Sequence, residues 1–388
     1  MKNVLVTSGE TRMALAICRV LSSNGYRVFA GSNRPFSMTA ASRHCAGSMV
    51  YASPFTKQHE FIENINNFAK KNNIGILLPV LEETFTIAKN RTHLGKSMAL
   101  AIPEYSGILA VHDKGNLAVL GSKLGILVPN TLELGALLSG QSSLSSLTFP
   151  VLLKPKQGGG GWGMEKFASA DTLLDFIQKQ KIHPERYIVQ EILEGRQVCA
   201  CALYQNGTFL GGDAYRPLHS WPLGCGQATI RETVFHDQAL LSLRTLLDHL
   251  GWHGVCEADF LVDSTGKAWL LDVNPRFWGS LGHNIDAGVP YPLYYCKMCE
   301  GVPFSLPPAR AGTRTGWLGG DTMRFLLELY RANNRLYFLN NARLARMPVA
   351  SYDDWVWNDP LPFFAWAIHA GLNALIPGRK DALPGIWE

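Results

Sequence analysis

The fold class that the sequence predicts is mixed, with an open α/β domain at the N-terminus and α+β architecture after it. Strand and helix patterns alternate over residues 1–110, whereas residues 255–274 contain two consecutive strands of a hairpin. The composition agrees with an ordered protein of two or three domains, because 388 residues with 47% hydrophobic and 17% charged residues can bury sizeable cores.

The N-terminal pattern is a repeated alternation of apolar strands with amphipathic helices. The first helix carries Met13, Ala14, Ile17, Val20 and Leu21 at the i, i+3, i+4, i+7 spacing of a buried face. Strands are predicted at residues 3–8, 26–32 and 74–79, and helices at residues 11–24, 60–71 and 82–90. The first strand–helix–strand unit should be a right-handed crossover between parallel strands.

The region after residue 110 predicts a different order, in which strands often follow strands. A helix, a short strand and a second helix are expected within residues 111–150. Further strands are predicted at residues 149–155, 187–191, 198–204, 255–262 and 267–273, and further helices at residues 171–181, 237–250 and 361–378. The last of these helices is strongly apolar and lacks a basic polar face, so we expect it to pack on the body of the protein.

Charge and cysteine usage argue against several classes of protein. The net charge of +5 is small for this length, and no dense Lys/Arg block alternates with aromatic residues, so a nucleic-acid partner is not expected. The eight cysteines lie mostly in apolar stretches, and the CxxC of Cys296 and Cys299 has no second pair at zinc-finger spacing, which favours buried thiols. Because neither a signal peptide nor a run of about 18 uncharged apolar residues is found, we expect a cytoplasmic protein without a membrane span.

A glycine-rich loop, GGGGWG at residues 158–163, is the first candidate for chemistry. Glycine loses much backbone entropy on folding, so five glycines in six positions need a reason in an ordered loop. Either phosphate cradling by successive N–H groups or a flexible surface loop would explain them. Lys154 lies four residues upstream at a strand end and favours the phosphate, although no Gly-Lys-Ser/Thr follows as in a Walker A loop.

Polar residues in the hairpin strands form the second candidate. Alternation places Glu257 and Asp259 on one face of the first strand, and Asp272 and Asn274 on one face of the second. Opposed carboxylates repel each other, and a divalent cation would remove the repulsion. Oxygen ligands of this kind suit Mg²⁺ held together with substrate phosphates.

Two questions about the hairpin stay open in the sequence. Instead of a metal ion, Arg276 or Arg231 could hold the carboxylates. A two-residue turn would place Glu257 opposite Asp272, whereas a longer loop would place Asp259 there, and periodicity does not choose between these registers.

A third segment, YIVQEILEG at residues 187–195, places the polar pair Gln190 and Glu191 after an apolar strand. Backbone groups that are exposed where a chain leaves a strand can bind an adenine edge. Taken alone, the pair is more simply interpreted as part of an ordinary loop.

Taken together and in this order, the motifs resemble the ATP-grasp superfamily of carboxylate ligases over residues 1–305. The matching segments are HDKGNLAVLGSKLGILVPNT (112–131), FPVLLKPKQGGGGWG (149–163), VQEILEG (189–195) and ADFLVDSTGKAWLLDVNPR (258–276). The FWGS that follows is similar to carboxylate–amine ligases near the carbamoyl-phosphate-synthase branch. The resemblance implies a Rossmann-like pre-ATP-grasp domain and a two-lobed ATP-grasp fold, divided as 1–110, 111–186 (small lobe), 187–310 (large lobe) and 311–388 (C-terminal extension).

The resemblance implies a nucleotide site whose residues follow from the matching motifs. The expected phosphate-binding cations are Lys114, in HDK, and Lys154, in LLKP. The expected residues around the rest of the ATP are the loop glycines and the adenine and ribose contacts: Gly158, Gly159, Gly160, Gly161, Gly163, Gln190, Glu191, Leu193 and Gln197. Gln197 replaces the commoner glutamate of the family, which would loosen the preference for ribose.

The resemblance also implies a metal site and a catalytic cation. Asp259, Asp272 and Asn274 are the expected ligands of Mg²⁺, with Mn²⁺ as an alternative ion. Arg276 is expected to neutralise the transferring phosphoryl group or the acyl phosphate, and Lys154 is expected to share this role. Asp272 replaces the commoner glutamate, which shortens the reach to the metal and would favour one ion over two.

The reaction that the resemblance implies has two steps and yields ADP and phosphate. A small-molecule carboxylic acid attacks the γ-phosphate of ATP to form an acyl phosphate, and an amine then displaces the phosphate. Lysines, an arginine and carboxylates suit this chemistry, because phosphoryl transfer depends mainly on positioning and charge neutralisation. An ATP-grasp carboxylase or a non-catalytic nucleotide-binding protein is the alternative, and a homodimer is a possible assembly.

A nicotinamide-dependent oxidoreductase is disfavoured, because the first turn, TSGETR, carries only Gly9 of the G-x-G-x-x-G pattern. The acid and the amine are not named by the sequence. Candidate substrate contacts lie at the end of strand 74–79, where open α/β sheets bind ligands, and around residues 216–231: Glu82, Glu83, Thr84, Arg216 and Arg231.

Overall fold

The computed structural model describes residues 2–158, 163–221, 226–331 and 347–375. Its N-terminal region contains β1 (Asn3–Val6), α1 (Arg12–Ser23), β2 (Arg27–Ser32), β3 (Cys45–Val50), α2 (Gln58–Asn72), β4 (Ile74–Leu78) and α3 (Glu83–Lys89). The four strands are parallel and lie in the order β3–β2–β1–β4. The prediction of an open α/β domain at the N-terminus is therefore confirmed.

Helix α1 follows the predicted apolar stripe. Thr11 caps it by accepting a hydrogen bond from the Ala14 N–H, and Met13, Ile17 and Leu21 are buried. Strand β3 is absent from the sequence prediction. Its residues alternate between half-buried and exposed, so it lacks the apolar run that identifies its neighbours.

A second, smaller sheet follows in the chain. The elements of this region are α4 (Tyr105–His112), α5 (Lys114–Lys123), β5 (Thr131–Glu133), α6 (Leu134–Leu138), β6 (Val151–Pro155), β7 (Glu165–Phe167), α7 (Ala170–Gln180) and β8 (Tyr187–Glu191). The strands are antiparallel in the order β5–β8–β6–β7. Helix α7 covers the sheet with Leu173 and Ile177, which pack into a core with Leu153 and Phe167.

The largest sheet has seven strands in the order β13–β12–β9–β10–β11–β14–β15. Its region contains β9 (Arg196–Gln205), β10 (Thr208–Trp221), β11 (Gln227–Val234), α8 (Asp237–His249), β12 (Gly254–Val262), β13 (Ala268–Asn274), α9 (Leu281–Asp286), α10 (Tyr291–Cys299), β14 (Arg314–Gly316), α11 (Leu318–Arg331), β15 (Ser351–Tyr352) and α12 (Leu361–Leu375). The pairing is antiparallel except between β14 and β15. Strands β10 and β11 are absent from the sequence prediction, because the half-buried β10 carries Gly211, Gly212 and Pro217 and pairs with shifts of register.

The two faces of this sheet pack against different helices. On one face, Tyr215 shares a core with Met13 of α1 and Tyr291 of α10. On the other face, Phe260 shares a core with Leu243 and Leu247 of α8. The N-terminal domain therefore packs directly on the sheet that carries the polar hairpin.

The predicted apolar helix is confirmed for residues 361–375, and residues 376–378 lie outside the described part. Its Trp366 ring lies 6.4 Å from the Trp317 ring, edge to face, whereas Leu361 and Ile368 are 63% and 65% exposed. Helix α12 thus packs on the body with one side only. Within the described residues, every helix is too short or too polar to cross a membrane.

The cysteines of the described residues agree with the prediction of plain thiols. They form no disulfide, and Cys296 is buried within α10. Cys225 lies outside the described residues.

A short C-terminal segment, residues 353–359, holds the N-terminal domain against the large sheet, and we call its contacts the clasp. The main contact is made by Asp353. Its Oδ2 accepts hydrogen bonds from Arg12 Nη1 at 3.0 Å and from Arg231 Nη2 at 3.1 Å. The three side chains are 2%, 7% and 0% exposed. Asp359 adds a second contact by accepting from Arg19 Nε at 2.9 Å. The clasp therefore joins α1, β11 and the segment that follows β15.

Replacing Asp353 with asparagine should destabilise the protein by about 3 kcal/mol or more, because two buried guanidinium groups would lose their shared negative charge. A denaturant titration measures this. The matched control is Asp175→Asn, which breaks the exposed pair with Lys179 and should cost no more than about 1 kcal/mol. Equal effects of the two substitutions would show that the clasp contributes nothing beyond a surface ion pair.

Candidate active site

Two lysines, the start of the glycine loop and one hairpin carboxylate meet between the small sheet and the large sheet. Lys114 is the first residue of α5, and Asp113 caps this helix by accepting from the N–H groups of Gly115 and Asn116. The Lys114 ammonium donates to the Gly158 carbonyl at 2.6 Å and lies 3.2 Å from Asp272 Oδ2. One cation thus connects the loop to the hairpin. Gly163 ends the loop, while Gly159, Gly160 and Gly161 lie outside the described residues.

Lys154 is held on β6 by its neighbour on β8. Its ammonium donates to Gln190 Oε1 at 2.6 Å, and Gln190 Nε2 donates to Thr131 Oγ1 at 2.8 Å. Burial lowers the pKa of Lys154 to about 8, with the negative charge of Asp272 opposing the shift and the positive charge of Lys114 adding to it. Lys154 is thus a buried cation without a carboxylate in direct contact, and an anionic ligand would stabilise its charge.

This pKa predicts that nucleotide binding weakens as the pH rises through about 8. Below that value Lys154 is protonated and attracts phosphate; above it the free protein loses the charge that the complex needs, so ADP affinity should fall by up to about tenfold per pH unit. Titrations of ADP between about pH 6 and 10 measure this. The control is Lys154→Arg, because arginine stays charged throughout and should flatten the profile. A profile that falls equally steeply in both proteins would contradict the assignment.

The hairpin adopts the longer-loop register. Asp259 lies opposite Asp272, and Glu257 lies opposite Asn274. The loop that Asp263 closes pairs Val262 with Ala268 and Phe260 with Leu270, and a β-bulge between Asp259 and Phe260 then shifts the register so that Asp259 pairs with Asp272. The register therefore places Asp259 across from Asp272, as the family resemblance implies.

The two opposed aspartates have the oxygen ligands and the negative charge of a divalent-cation site. Asp259 Oδ1 accepts from Gln197 Nε2 at 2.9 Å and from the Cys199 thiol at 3.0 Å. Burial raises the pKa of Asp259, and the charge of Asp272 adds to the rise. Apart from Lys114, which contacts Asp272, no cation in the described residues pairs with either carboxylate. Asp259, Asp272 and Asn274 therefore fit Mg²⁺, which would relieve their repulsion.

Glu257 lies beside this group, because one of its carboxylate oxygens, one Asp259 oxygen and the Cys199 Sγ lie within 4.8 Å of one another. Its Oε1 accepts from Tyr215 Oη at 2.7 Å, and its Oε2 accepts from Asn274 Nδ2 at 2.6 Å. Burial and the charge of Asp259 raise the pKa of Glu257 to about 8. Both oxygens are thus engaged, and the second one orients Asn274.

The alternative in which an arginine holds the aspartates is wrong. Arg276 directs Nε and Nη2 to Glu82 Oε1, at 3.1 and 2.7 Å, and Arg231 binds Asp353. The expectation that Arg231 grips a substrate acid is also wrong, because its side chain is fully buried in the clasp. Arg216 is likewise engaged, with Nε and Nη2 on Glu232 Oε2.

The residues predicted as substrate contacts at the end of β4 differ in their roles. Glu83 is buried, and its Oε1 accepts from the Thr7 hydroxyl and from the N–H groups of Val80 and Leu81. It therefore shapes the turn. Glu82, in contrast, faces Arg276 and joins the N-terminal domain to the segment after β13.

The adenine and ribose contacts inferred from the resemblance are partly occupied by protein groups. The carboxylate of Glu191 accepts from the Thr148 N–H at 2.6 Å, and its backbone N–H donates to the Asn130 carbonyl at 3.0 Å. Gln197, expected at the ribose, donates its amide N–H to Asp259, one of the expected metal ligands. Leu193 is half-buried beyond the end of β8.

One residue of the site has no counterpart among the predicted ones. His112 ends α4, two residues before Lys114, and its ring packs edge-on against Phe85 at 4.7 Å. Burial lowers its pKa to about 4, and the charges of Asp272, Lys114, Glu82 and Arg276 also act on it. The HDK motif contained this residue, but a single histidine beside a recognised lysine gave no separate signal.

Comparisons with known proteins agree with this fold. The biotin carboxylase of Campylobacter jejuni, solved as a β-γ-ATP complex, superposes with a TM-score of 0.65 at 14% identity, covering 81% of this chain and 74% of that one. An N5-carboxyaminoimidazole ribonucleotide synthetase, solved with ADP, gives a TM-score of 0.65 at 13% identity, covering 89% and 96%. The chain therefore has the ATP-grasp fold.

Among curated proteins, one relative matches a smaller part of this chain than the solved structures do. The D-alanine–D-alanine ligase of Pseudomonas fluorescens (strain Pf0-1) is 27% identical over 184 residues, which is 44% of this chain and 56% of the relative. The chain thus spans about half the length of that ATP-grasp relative. No family model matches the chain.

Proposed function

We propose that the protein is an ADP-forming ligase that activates a small carboxylic acid as an acyl phosphate and couples it to an amine. The observation that carries this proposal is the double contact of the Lys114 ammonium, with the Gly158 carbonyl and with Asp272. Through this one side chain, the start of the glycine loop, which is the candidate phosphate-binding loop, is connected to one of the two aspartates suited to Mg²⁺. Such a convergence of cations and carboxylates suits phosphoryl transfer.

Different residues would have different roles in the first step. Lys114 and Lys154 would bind the phosphates of ATP, and Gln190 would keep the Lys154 ammonium in place. Asp259, Asp272 and Asn274 would hold Mg²⁺, which supplies charge neutralisation at the phosphates. Arg276, anchored by Glu82, would bind the substrate carboxylate or the acyl phosphate.

The second step needs a site that excludes water, because an acyl phosphate is readily hydrolysed. The N-terminal domain packs on the large sheet and would shield such a site from solvent. Glu82 of the N-terminal domain and Arg276 after β13 form an ion pair between these two parts. The amine attacks the acyl carbon, and phosphate leaves with the proton that the amine gives up.

We also propose a division into domains at residues 1–110, 111–186, 187–310 and 311–388. The nucleotide contacts implied by the family resemblance, a cytoplasmic location and a homodimer are further parts of the proposal. The relation to the carbamoyl-phosphate-synthase branch stays a prediction.

A substrate screen tests the proposal. Wild-type protein with MgATP is offered pools of amino acids, keto acids and dicarboxylic acids, each with and without amines, and nucleotide products are separated. We expect ADP formation that requires an acid. Failure of every acid to raise ADP release, in protein shown to bind ADP, would favour the non-catalytic alternative. Dependence on bicarbonate alone would favour a carboxylase.

A further inference from the structure

Two buried polar atoms beside Arg276 lack a hydrogen-bond partner among the described residues: Glu82 Oε2 and His112 Nε2. A buried polar atom without a partner costs about 1–3 kcal/mol, so an unpaired atom in a folded protein calls for a ligand or a bound water. These two atoms belong to side chains next to the proposed reaction centre.

The fold places the two side chains together. Glu82 immediately precedes α3, Phe85 lies in the first turn of that helix, and the His112 ring packs edge-on against Phe85 at 4.7 Å. Arg276 donates from Nε and Nη2 to Oε1 of Glu82 and from Nη1 to the Phe277 carbonyl, so Oε2 of Glu82 receives no hydrogen bond from it. His112 is also two residues from Lys114, and the charges of Lys114, Glu82 and Arg276 all act on its ring.

The chemistry of the pair is that of two acceptors. Glu82 bound to a guanidinium is a carboxylate and offers a lone pair at Oε2. Burial lowers the pKa of His112 to about 4, so its ring is neutral at physiological pH and accepts at Nε2 when the proton is on Nδ1. A group that satisfies both atoms must donate two hydrogen bonds. An amine does so, whereas a carboxylate does not.

We propose that Glu82 Oε2 and His112 Nε2 form the subsite that holds the amino group of the nucleophile. This inference rests on the proposed function. Two N–H bonds would donate to the two acceptors, which directs the nitrogen lone pair toward the acyl carbon. The C–N bond forms and the C–O bond to phosphate breaks. The nitrogen gives up one proton, and phosphate leaves as the hydrogen phosphate dianion.

Hydroxylamine is the probe, since it traps acyl phosphates as hydroxamates that can be measured by colour with ferric iron. With the acid found in the screen, His112→Phe should raise the KM for hydroxylamine by at least about tenfold, because one hydrogen bond is lost. The ring contact with Phe85 is kept. His112→Gln retains an acceptor and should return this KM to within about threefold of wild type.

Two further variants distinguish a local effect at the subsite from a general loss of protein structure. Glu82→Gln leaves an oxygen for Arg276 but turns the free acceptor into a donor, so it should also raise the KM for hydroxylamine. The control is His253→Phe, which removes a ring that accepts from the Asn206 N–H and should leave this KM unchanged. ADP affinity in His112→Phe should stay within about twofold of wild type.

The outcomes are distinct. An unchanged KM for hydroxylamine in both His112→Phe and Glu82→Gln overturns the subsite and leaves the proposed function intact. If the KM for hydroxylamine rises equally in His112→Phe and His112→Gln, a hydrogen-bond acceptor at this position has no role. If wild-type protein forms no ADP with any acid, the proposed function itself is overturned, and the subsite with it.

Discussion

Replacing Asp272 with asparagine is expected to lower the rate of ADP formation by ~10² or more, because the substitution removes one fixed charge from the group that stabilises the transferring phosphoryl group. Stability should change little. The ion pair with Lys114 is lost, but so is the repulsion with the opposed Asp259, and asparagine can still accept the bond from the Val273 N–H. Turnover and thermal unfolding measure the two effects.

Asp259→Asn should behave in the same way, since Asp259 lies opposite Asp272 on the neighbouring strand. The control is Asp175→Asn on α7, which makes the same change of charge at an exposed position. If both hairpin variants kept activity within about threefold of wild type, the carboxylates would not be part of the catalytic group.

Replacing Arg276 with methionine is expected to have the largest combined effect. Activity should fall by ~10² or more, because the cation proposed to bind the acyl phosphate is lost. Stability should also fall by about 3–5 kcal/mol, because Glu82 would remain as a buried carboxylate without its partner. In the protein this pair is nearly buried, with the two side chains 14% and 11% exposed.

A double substitution separates these two roles of Arg276. Arg276→Met combined with Glu82→Gln removes the unpaired carboxylate, so most of the lost stability should return. Activity should stay low, because the cation is still missing. Recovery of activity together with stability would mean that Arg276 serves the fold and not the reaction.

The sequence predicted those parts of the site that depend on local pattern. Asp272 stands out as an acid in an apolar strand, and Lys154 stands out because a strand end precedes a run of glycines. Helix α1 was predicted almost to its ends, because its capping threonine and its apolar stripe are local features. The ATP-grasp fold then followed from the order of the motifs.

The rest depends on contacts between distant residues. Alternation left the hairpin register open, because a β-bulge between Asp259 and Phe260 decides which residue faces Asp272. Arg231 was predicted to bind a substrate acid, but Asp353, 122 residues away, occupies it. The pairing of Glu82 with Arg276 spans 194 residues and leaves no mark in the local pattern. Strand β10 was missed because its glycines, its proline and its half-buried faces hide the period of two.

The transfer of the γ-phosphoryl group to a carboxylate is the central claim, and isotope transfer tests it most directly. The acid identified in the screen is labelled with ¹⁸O in its carboxylate, and the phosphate released during turnover is analysed by mass spectrometry. We predict ADP as the nucleotide product and one ¹⁸O atom in each phosphate, because the acyl phosphate loses the oxygen that attacked ATP. AMP as the nucleotide product, or phosphate without label, would contradict the acyl-phosphate route.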